Sequence, residues 1–359
     1  MNISEVKYML TLCMIVKNEE NTLKNCLIGA ASFVDEIIIV DTGSKDNTKD
    51  IALEFTDKIY DFKWCNDFSK ARNYSIEKAS NDWVLILDAD EFIVDFSSRS
   101  VQEFIEEPSN RNKVGRLKRV NFMEDSYGNN KYTERINRLF NKNYFNYEGI
   151  IHEQIVALNG KPYETEMVDI TAEHVGYTRE ALNKTGKIKR NIDLLKMAVK
   201  DNLEDPYLYF QLGKSYYMLK NYKNAVMYFE KALSFSLDFS LEYVEDLVET
   251  YGYALINSGK YQKALILENC VEVYSNFADF HFLMGLIYMN NARFTQAVES
   301  FLKCTEFSYA KVEGVNTYIS YYNIGVIYDV LGFRENALGY YRKCGNYEPA
   351  VKRLKAQLN

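Results

Sequence analysis

The sequence predicts a Rossmann-like α/β domain with a mostly parallel sheet, followed by an all-α domain of helical repeats. Three observations support this: short apolar runs alternate with amphipathic stretches in the first half, long helical patterns begin near Asn183, and the 359-residue chain exceeds one usual domain. We therefore predict an α/β domain over residues 1–182, a linking helix over 183–204 and a repeat domain over 205–359.

The first half predicts alternating strands and helices from its apolar periodicity. The expected strands are Leu10–Val16, Val34–Val40, Asp57–Tyr60 and Trp83–Leu87, and the expected helices are Thr22–Ala31, Asn47–Phe55 and Ser69–Lys78. Ligands of such sheets bind beyond the carboxyl ends of the strands. Asn18, Asp41 and Asp88 all follow or close a strand, so we expect them to meet at one edge.

The second half contains an internal repeat of small residues. A glycine is followed twelve residues later by an alanine in four places, which are Gly213 and Ala225, Gly252 and Ala264, Gly285 and Ala297, and Gly325 and Ala337. The glycines follow one another at steps of 39, 33 and 40 residues, so two of the repeats carry insertions. Small residues let paired helices approach closely, which is the pattern of tetratricopeptide repeats, and the resemblance covers roughly Pro206 to Tyr347.

Composition restricts the partners and the compartment. The net charge of −7 gives no broad attraction to nucleic acid or to an anionic membrane surface. No apolar run approaches the roughly 20 residues that a membrane-spanning helix needs. The six cysteines lack paired metal-ligand spacing, and the first residues lack a signal-peptide pattern. We expect reduced thiols in a cytoplasmic protein that binds no nucleic acid and has no membrane span.

The stretch Trp83–Phe92 runs from an apolar strand into two carboxylates, Asp88 and Asp90, one residue apart. Acidic residues at this spacing offer hard oxygen ligands to Mg²⁺ or Mn²⁺, and a nucleotide diphosphate would supply the remaining ligands. Asp-x-Asp alone is a weak motif, because a solvated strand end has the same residues. Support comes from three other segments that the same sheet brings to this edge.

Those segments are Met14-Ile-Val-Lys-Asn-Glu19, Val40-Asp-Thr-Gly-Ser-Lys-Asp46 and Asn66-Asp-Phe-Ser-Lys-Ala-Arg-Asn73. With the acidic pair, they resemble the nucleotide-sugar-binding half of family 2 glycosyltransferases, which have the GT-A fold, over residues 9 to about 180. The resemblance implies donor binding by Asn18, Asp41, Asp46, Arg72, Asp88 and Arg138. Thr42 stands where the family typically has a second aspartate, which leaves open which base is read. Asp46 also suits a helix start and Arg72 an ordinary surface position.

Two of the three histidines fall where the resemblance expects the chain to close over the donor. Metal ligation is expected from Asp90, Asp88 and His174, because a neutral imidazole is a good further ligand for Mn²⁺. Catalysis is expected from Glu153 and His152, one of which takes the proton from the attacking acceptor. A packed core histidine and a salt-bridged glutamate are the alternative interpretations of His174 and Glu153.

The order of the blocks around Trp64–Asn73, Asp88–Asp90, Arg138–Phe140, Glu148–Gln154 and His174–Tyr177, placed before helical repeats, resembles the sublancin-type peptide S-glycosyltransferases. It is equally similar to the wider group of family 2 enzymes fused to tetratricopeptide repeats. The resemblance implies a metal-dependent inverting transferase that moves a sugar from a nucleotide-sugar, with UDP-sugar favoured, to a peptide or protein side chain such as Cys.

The repeats would hold the peptide or protein acceptor, or a second copy of the chain in a homodimer. Two alternatives stay open at this point. One is a glycosyltransferase of cell-surface polysaccharide synthesis, and the other is a catalytically inactive repeat scaffold.

Overall fold

A computed structural model describes residues 9–125, 128–174 and 186–356. These form two compact units, with the main division between Gly186 and Lys187. The first unit is α/β and the second is helical. The predicted order of fold classes is therefore confirmed.

The first unit contains an eight-stranded sheet among the described residues. Its strands are β1 (Leu10–Val16), β2 (Glu36–Asp41), β3 (Ile59–Asp61), β4 (Trp83–Ile86), β5 (Glu91–Phe96), β6 (Lys113–Asp125), β7 (Gly128–Asn141) and β10 (Glu164–His174). They lie side by side in the order β3-β2-β1-β4-β7-β6-β10-β5. Strands β3, β2, β1 and β4 are parallel, β10 is parallel to β6, and β7 and β5 run antiparallel to β4 and β10. The first four strands are those that the sequence predicts.

Helices cover both faces of this sheet, so its central strands are buried on both sides. The helices are α1 (Leu23–Ala30), α2 (Thr48–Leu53), α3 (Phe68–Lys78) and α4 (Ser98–Glu106), with 3₁₀ turns at Ala31–Phe33 and Pro108–Asn112. Leu12 of β1 lies in one apolar core and the adjacent Cys13 in the other. Because neighbouring side chains on a strand point to opposite faces, a continuous apolar run is what a strand in this position requires.

A small two-stranded sheet, β8 (Phe145–Glu148) paired antiparallel with β9 (Gln154–Ala157), lies beside α3. Asn73 of α3 holds it in place: its amide nitrogen donates to the Tyr147 carbonyl at 2.8 Å, and its amide oxygen accepts from the Tyr147 N–H at 2.9 Å. The loop between β8 and β9 carries His152 and Glu153, so this pairing positions two of the predicted site residues.

The second unit consists of helix pairs. Its helices are α5 (Lys187–Asp201), α6 (Pro206–Met218), α7 (Tyr222–Leu233), α8 (Glu242–Asn257), α9 (Tyr261–Ala264) continued by a 3₁₀ segment (Leu265–Cys270), α10 (Ala278–Asn290), α11 (Phe294–Cys304), α12 (Tyr318–Val330), α13 (Arg334–Lys343) and α14 (Glu348–Ala356). The segment that we expected to link the domains forms α5, which packs against α6. No helix among the described residues is long and apolar enough to cross a membrane.

The repeated glycines lie where the paired helices touch. A Cβ added at Gly213 would lie 2.3 Å from the Phe229 ring, one at Gly285 2.6 Å from the Phe301 ring, and one at Gly325 2.6 Å from the Tyr341 ring. Each ring belongs to the second helix of the same pair. The interpretation of the glycines as points of close helix approach is confirmed.

Candidate active site

Asn18, Asp41 and Asp88 lie at or just after the ends of β1, β2 and β4, as the sequence predicts. Asp41 closes β2 and is 2% exposed, and its carboxylate accepts the N–H groups of Gly43 and Ser44 at 3.0 Å. Asn18 has a positive φ of 55° and accepts the Lys45 N–H at 2.8 Å. Asp41 therefore orders its own loop after β2, and Asn18 holds that loop against the loop after β1.

Asp46 ties the same two loops together. Its carboxylate accepts the Thr48 hydroxyl at 2.5 Å, the Thr48 N–H at 3.1 Å and the Glu20 N–H at 3.2 Å. Burial raises the pKa of Asp46, but these hydrogen bonds outweigh it and lower the pKa below its usual range. The contacts made by Asn18, Asp41 and Asp46 in this structure are thus contacts within the rim of the site.

Asp88 lies just beyond β4 and contacts two guanidinium groups. Arg72 Nη2 is 2.8 Å from Asp88 Oδ1, and Arg138 Nη2 is 2.8 Å from Asp88 Oδ2. Arg72 comes from α3, whose start is capped by the Asp67 carboxylate on the Lys70 N–H at 3.0 Å. Arg138 comes from β7, which pairs with β4. Sheet pairing and one capped helix therefore bring three predicted residues together.

The two arginines are almost fully buried, with Arg72 7% exposed and Arg138 8% exposed. Burial lowers the pKa of each guanidinium, but Asp88 together with Glu153 for Arg72 and Glu91 for Arg138 outweighs it and raises the pKa. Burial likewise raises the pKa of Asp88, but Arg72 and Arg138 pull it well below its usual range. Asp88 and the two arginines are therefore charged at neutral pH.

The pair of arginines retains unused donor capacity. Arg72 Nη1, Arg138 Nε and the Tyr147 hydroxyl are buried and have no hydrogen-bond partner within the described part of the chain. The Tyr147 ring lies 5.6 Å from the Arg72 guanidinium. Because buried donors in proteins are nearly always paired, this set indicates a site for an anion that accepts several hydrogen bonds.

Glu153 contacts the other side of Arg72. Its Oε1 lies 2.5 Å from Arg72 Nε, and the Glu153 side chain is 9% exposed. The preceding His152 has a positive φ of 49°, an unusual conformation for a residue other than glycine. The structure thus brings Glu153 into the arginine network as an ion-pair partner, the alternative interpretation of this residue.

Asp90 and His174, two of the predicted metal ligands, lie close together. His174 closes β10, and its Nε2 lies 3.4 Å from Asp90 Oδ2. Both side chains are mostly buried. Neither oxygen of Asp88 joins this pair, because both contact arginines. No cluster of three or more metal-ligating side chains occurs in the ranges that the structure describes.

Sequence reasoning missed four charged or polar side chains of this site: Glu91, Arg119, Asn121 and Glu134. Glu91 is fully buried and accepts from Arg138 Nη2 at 2.8 Å and from Arg119 Nη1 at 2.7 Å. The only sequence signal was the i, i+2 spacing of Arg119 and Asn121, which places both side chains on the same face of a strand. Which strands lie next to each other is not visible in that spacing.

Comparisons with known proteins match both halves of the chain. Residues 11–159 match the model of the family described as glycosyl transferase family 2, and residues 206–239 and 278–310 match tetratricopeptide repeats. The SPbeta prophage-derived glycosyltransferase SunS of Bacillus subtilis is 30% identical over 239 residues, which are 63% of this chain and 53% of SunS.

A TPR repeat-containing protein of Synechococcus elongatus is 31% identical over 211 residues, which are 56% of this chain and 51% of that protein. Among solved structures, the crystal structure of MamA aligns with 48% of this chain over 95% of the MamA chain, at 21% identity and a TM-score of 0.40. The chain spans about half the length of the curated relatives it matches. Residues 11–159 of the α/β unit thus match the family 2 glycosyltransferases, and tetratricopeptide repeats follow them in the chain.

Proposed function

We propose that this protein is a metal-dependent inverting glycosyltransferase that moves a sugar from a nucleotide-sugar, with UDP-sugar favoured, to a peptide or protein side chain. The match to family 2 supports the reaction class, and SunS, a relative of this chain, is named a glycosyltransferase. The observation that carries the proposal is the pair of buried arginines with unused donors, set beside Asp90 and His174.

Arg72 and Arg138 are proposed to bind the diphosphate of the donor. Their spare N–H groups and the Tyr147 hydroxyl would meet phosphate oxygens, and charge-assisted hydrogen bonds of this kind are strong in a buried site. Negative charge grows on the leaving diphosphate as the glycosidic bond breaks. Donors already held in place by Asp88 stabilise that charge without reorganisation.

Asp90 and His174 are proposed to hold Mn²⁺ or Mg²⁺. One carboxylate and one imidazole fit these ions, since the diphosphate and water would complete the ligand set. The ion would neutralise charge on the leaving group when bound. Asp88, which the sequence suggested as a further ligand, is proposed instead to orient the two arginines.

His152 is proposed as the base. Glu153 shares its Oε1 with the Arg72 N–H and is therefore a poor proton acceptor while that pair persists. The acceptor atom attacks the anomeric carbon as the bond to the diphosphate oxygen breaks, which inverts the configuration, and a hydroxyl acceptor gives its proton to the base. A Cys acceptor depends less on a base, because a thiol is partly ionised near neutral pH.

The helical repeats are proposed to hold the peptide or protein acceptor. Stacked helix pairs present extended surfaces suited to binding a chain segment. The repeat match over residues 206–239 and 278–310 supports this assignment of the second unit.

The test is calorimetric binding of a panel of UDP- and GDP-sugars to the purified protein, with Mn²⁺ and with chelator, followed by transfer assays. We expect one UDP-sugar to bind only with the metal, and Asp90→Ala to abolish transfer while leaving the fold intact. Asp95→Ala, at an exposed position of β5, the strand that begins directly after Asp90, is the matched control.

The acceptors should include a Cys peptide, a Ser peptide and a glycan primer. Transfer to the primer alone would favour polysaccharide synthesis. Absence of both donor binding and donor hydrolysis with Mn²⁺ present would favour an inactive scaffold.

A further inference from the structure

A row of polar side chains crosses three adjacent strands next to Asp90. Glu134 lies on β7, Asn121 on β6 and His174 at the end of β10. Asn121 and His174 are paired in the register of β6 with β10. Asn121 is 1% exposed and His174 9% exposed, so the contacts of these two side chains are protected from solvent.

The order of hydrogen bonds along this row is set by Glu134. Its Oε1 accepts from Arg119 Nε at 3.0 Å, from Arg119 Nη2 at 2.8 Å and from Asn121 Nδ2 at 2.6 Å. An ionised carboxylate only accepts hydrogen bonds, so the Asn121 amide must turn its nitrogen toward Glu134. The Asn121 oxygen then faces His174 Nδ1, at 2.8 Å.

This orientation decides where His174 carries its proton. An amide oxygen accepts hydrogen bonds, so His174 Nδ1 must be the protonated nitrogen, and the neutral ring has its lone pair on Nε2. That lone pair faces Asp90 Oδ2 across 3.4 Å. Two electron-rich atoms at this distance are suited to a cation that both can ligate.

We propose that Asn121 and Glu134 are positioning residues that hold His174 in the Nδ1–H tautomer, so that His174 Nε2 and Asp90 together bind a divalent cation. The inference rests on the proposed metal-dependent function. Side chains that orient a ligating histidine in this way typically change metal affinity by about 10–100-fold when they are mutated.

Arg119 connects this row to the arginine site. Its Nη1 donates to Glu91 Oε1 at 2.7 Å, and the same oxygen accepts from Arg138 Nη2 at 2.8 Å. One guanidinium therefore fixes Glu134 on one side and Glu91 on the other. One hydrogen-bonded network therefore connects the proposed cation ligands with the proposed diphosphate ligands.

The opposite arrangement is the competing interpretation. If the Asn121 amide were turned round, its nitrogen would donate to His174 Nδ1, and His174 Nε2–H would donate to Asp90. His174 and Asp90 would then be a structural hydrogen-bonded pair. The two arrangements differ in the position of one proton, which nuclear magnetic resonance measures directly.

The first experiment is ¹⁵N spectroscopy of the metal-free protein with labelled histidine, at a pH well above the ordinary histidine pKa. His281 is an internal standard, because its Nε2 lies 2.8 Å from the Ser275 carbonyl and must therefore be the protonated nitrogen. We expect His174 to show the opposite tautomer, with assignment by His174→Gln. A proton on His174 Nε2 in the wild type would overturn the proposal.

The second experiment measures binding of Mn²⁺ with UDP by electron paramagnetic resonance. Asn121→Ala should weaken Mn²⁺ binding about 10–100-fold, and Glu134→Gln less, since a Gln can still present an oxygen to Asn121. Asn141→Ala is the matched control, because Asn141 is a buried asparagine elsewhere on β7 whose oxygen accepts the Asn143 N–H. Circular dichroism checks that each variant is folded.

The outcomes separate the two levels of the proposal. Wild-type protein that binds Mn²⁺ while Asn121→Ala and Glu134→Gln bind it equally well would overturn the positioning role and leave the metal site standing. Wild-type protein that does not bind Mn²⁺ with UDP would refute the proposed metal dependence and this inference with it. Weakening in both variants, together with the Nδ1–H tautomer, supports the proposal.

Discussion

Replacing Arg72 with methionine removes one charge from the centre of the buried network while keeping an apolar side chain of similar length. Arg72 contacts Asp88 at 2.8 Å and Glu153 at 2.5 Å, and its side chain is 8% exposed. Asp88 keeps Arg138 as a partner. Glu153 loses the guanidinium that neutralises it, so a mostly buried carboxylate is left without compensation.

Breaking a buried ion pair from one side costs about 3–5 kcal/mol, because an uncompensated charge stays buried. We therefore expect Arg72→Met to lower the free energy of unfolding of the α/β unit by about this amount. The equilibrium constant for unfolding would then rise roughly 100- to 4,000-fold. Replacing both partners with apolar residues costs far less. The double variant Arg72→Met/Glu153→Leu should recover most of the lost stability.

Urea unfolding followed by tryptophan fluorescence is a direct assay, because both tryptophans, Trp64 and Trp83, lie in the α/β unit. Lys24→Met is the matched surface control. Lys24 contacts Glu54 at 2.6 Å, but both side chains are at least half exposed, so its loss should cost less than about 1 kcal/mol. A loss under about 1 kcal/mol for Arg72→Met, or a double variant no more stable than the single one, would refute the reasoning.

Gly285→Ala should destabilise the repeat unit by about 1–3 kcal/mol, because the new Cβ would lie 2.6 Å from the Phe301 ring. Thermal unfolding followed by far-UV circular dichroism measures this loss, and an unchanged melting curve would contradict it. Burial raises the pKa of Glu36, but four hydrogen bonds to its carboxylate outweigh burial and lower the pKa to about 2. The contribution of Glu36 to the free energy of unfolding is therefore lost as the pH falls from about 5 to 2. Glu36→Gln should flatten the plot of stability against pH over this range. Burial raises the pKa of Glu249 to about 8 despite Lys311 nearby, so the native state keeps a proton that the unfolded chain has lost. Repeat-unit stability should therefore fall as the pH rises from about 4.5 to 8, and a slope that persists in Glu249→Gln would contradict the assignment.

Much of the fold was predictable because it depends on local patterns. The run Trp83–Leu87 is apolar throughout and the run Leu10–Val16 is apolar except for Thr11, as expected of strands buried on both faces. The four glycines of the second half are spaced by the helix-pair repeat, and Gly213, Gly285 and Gly325 each meet an aromatic ring of the partner helix. Periodicity and residue size are properties of the sequence itself, so they can be read without coordinates.

The meeting of Arg72, Asp88 and Arg138 was only partly predictable. The sequence placed Asp88 at a strand end and Arg72 near a helix start, and the family resemblance added Arg138. It could not show that both Asp88 oxygens face guanidinium groups or that Glu153 is paired with Arg72. These contacts depend on how β7 and the β8–β9 loop lie against β4 and α3, which no local pattern encodes.

The sequence by itself determined the α/β and repeat classes and the chemical types of the site residues. Only the tertiary structure decided which residue faces which, as in the row from Glu134 through Asn121 to His174. The physical reason is that a single strand reveals which side chains share a face, through its period of two. The identity of the strand beside it, and hence the partner of each polar group, is set by long-range pairing and burial.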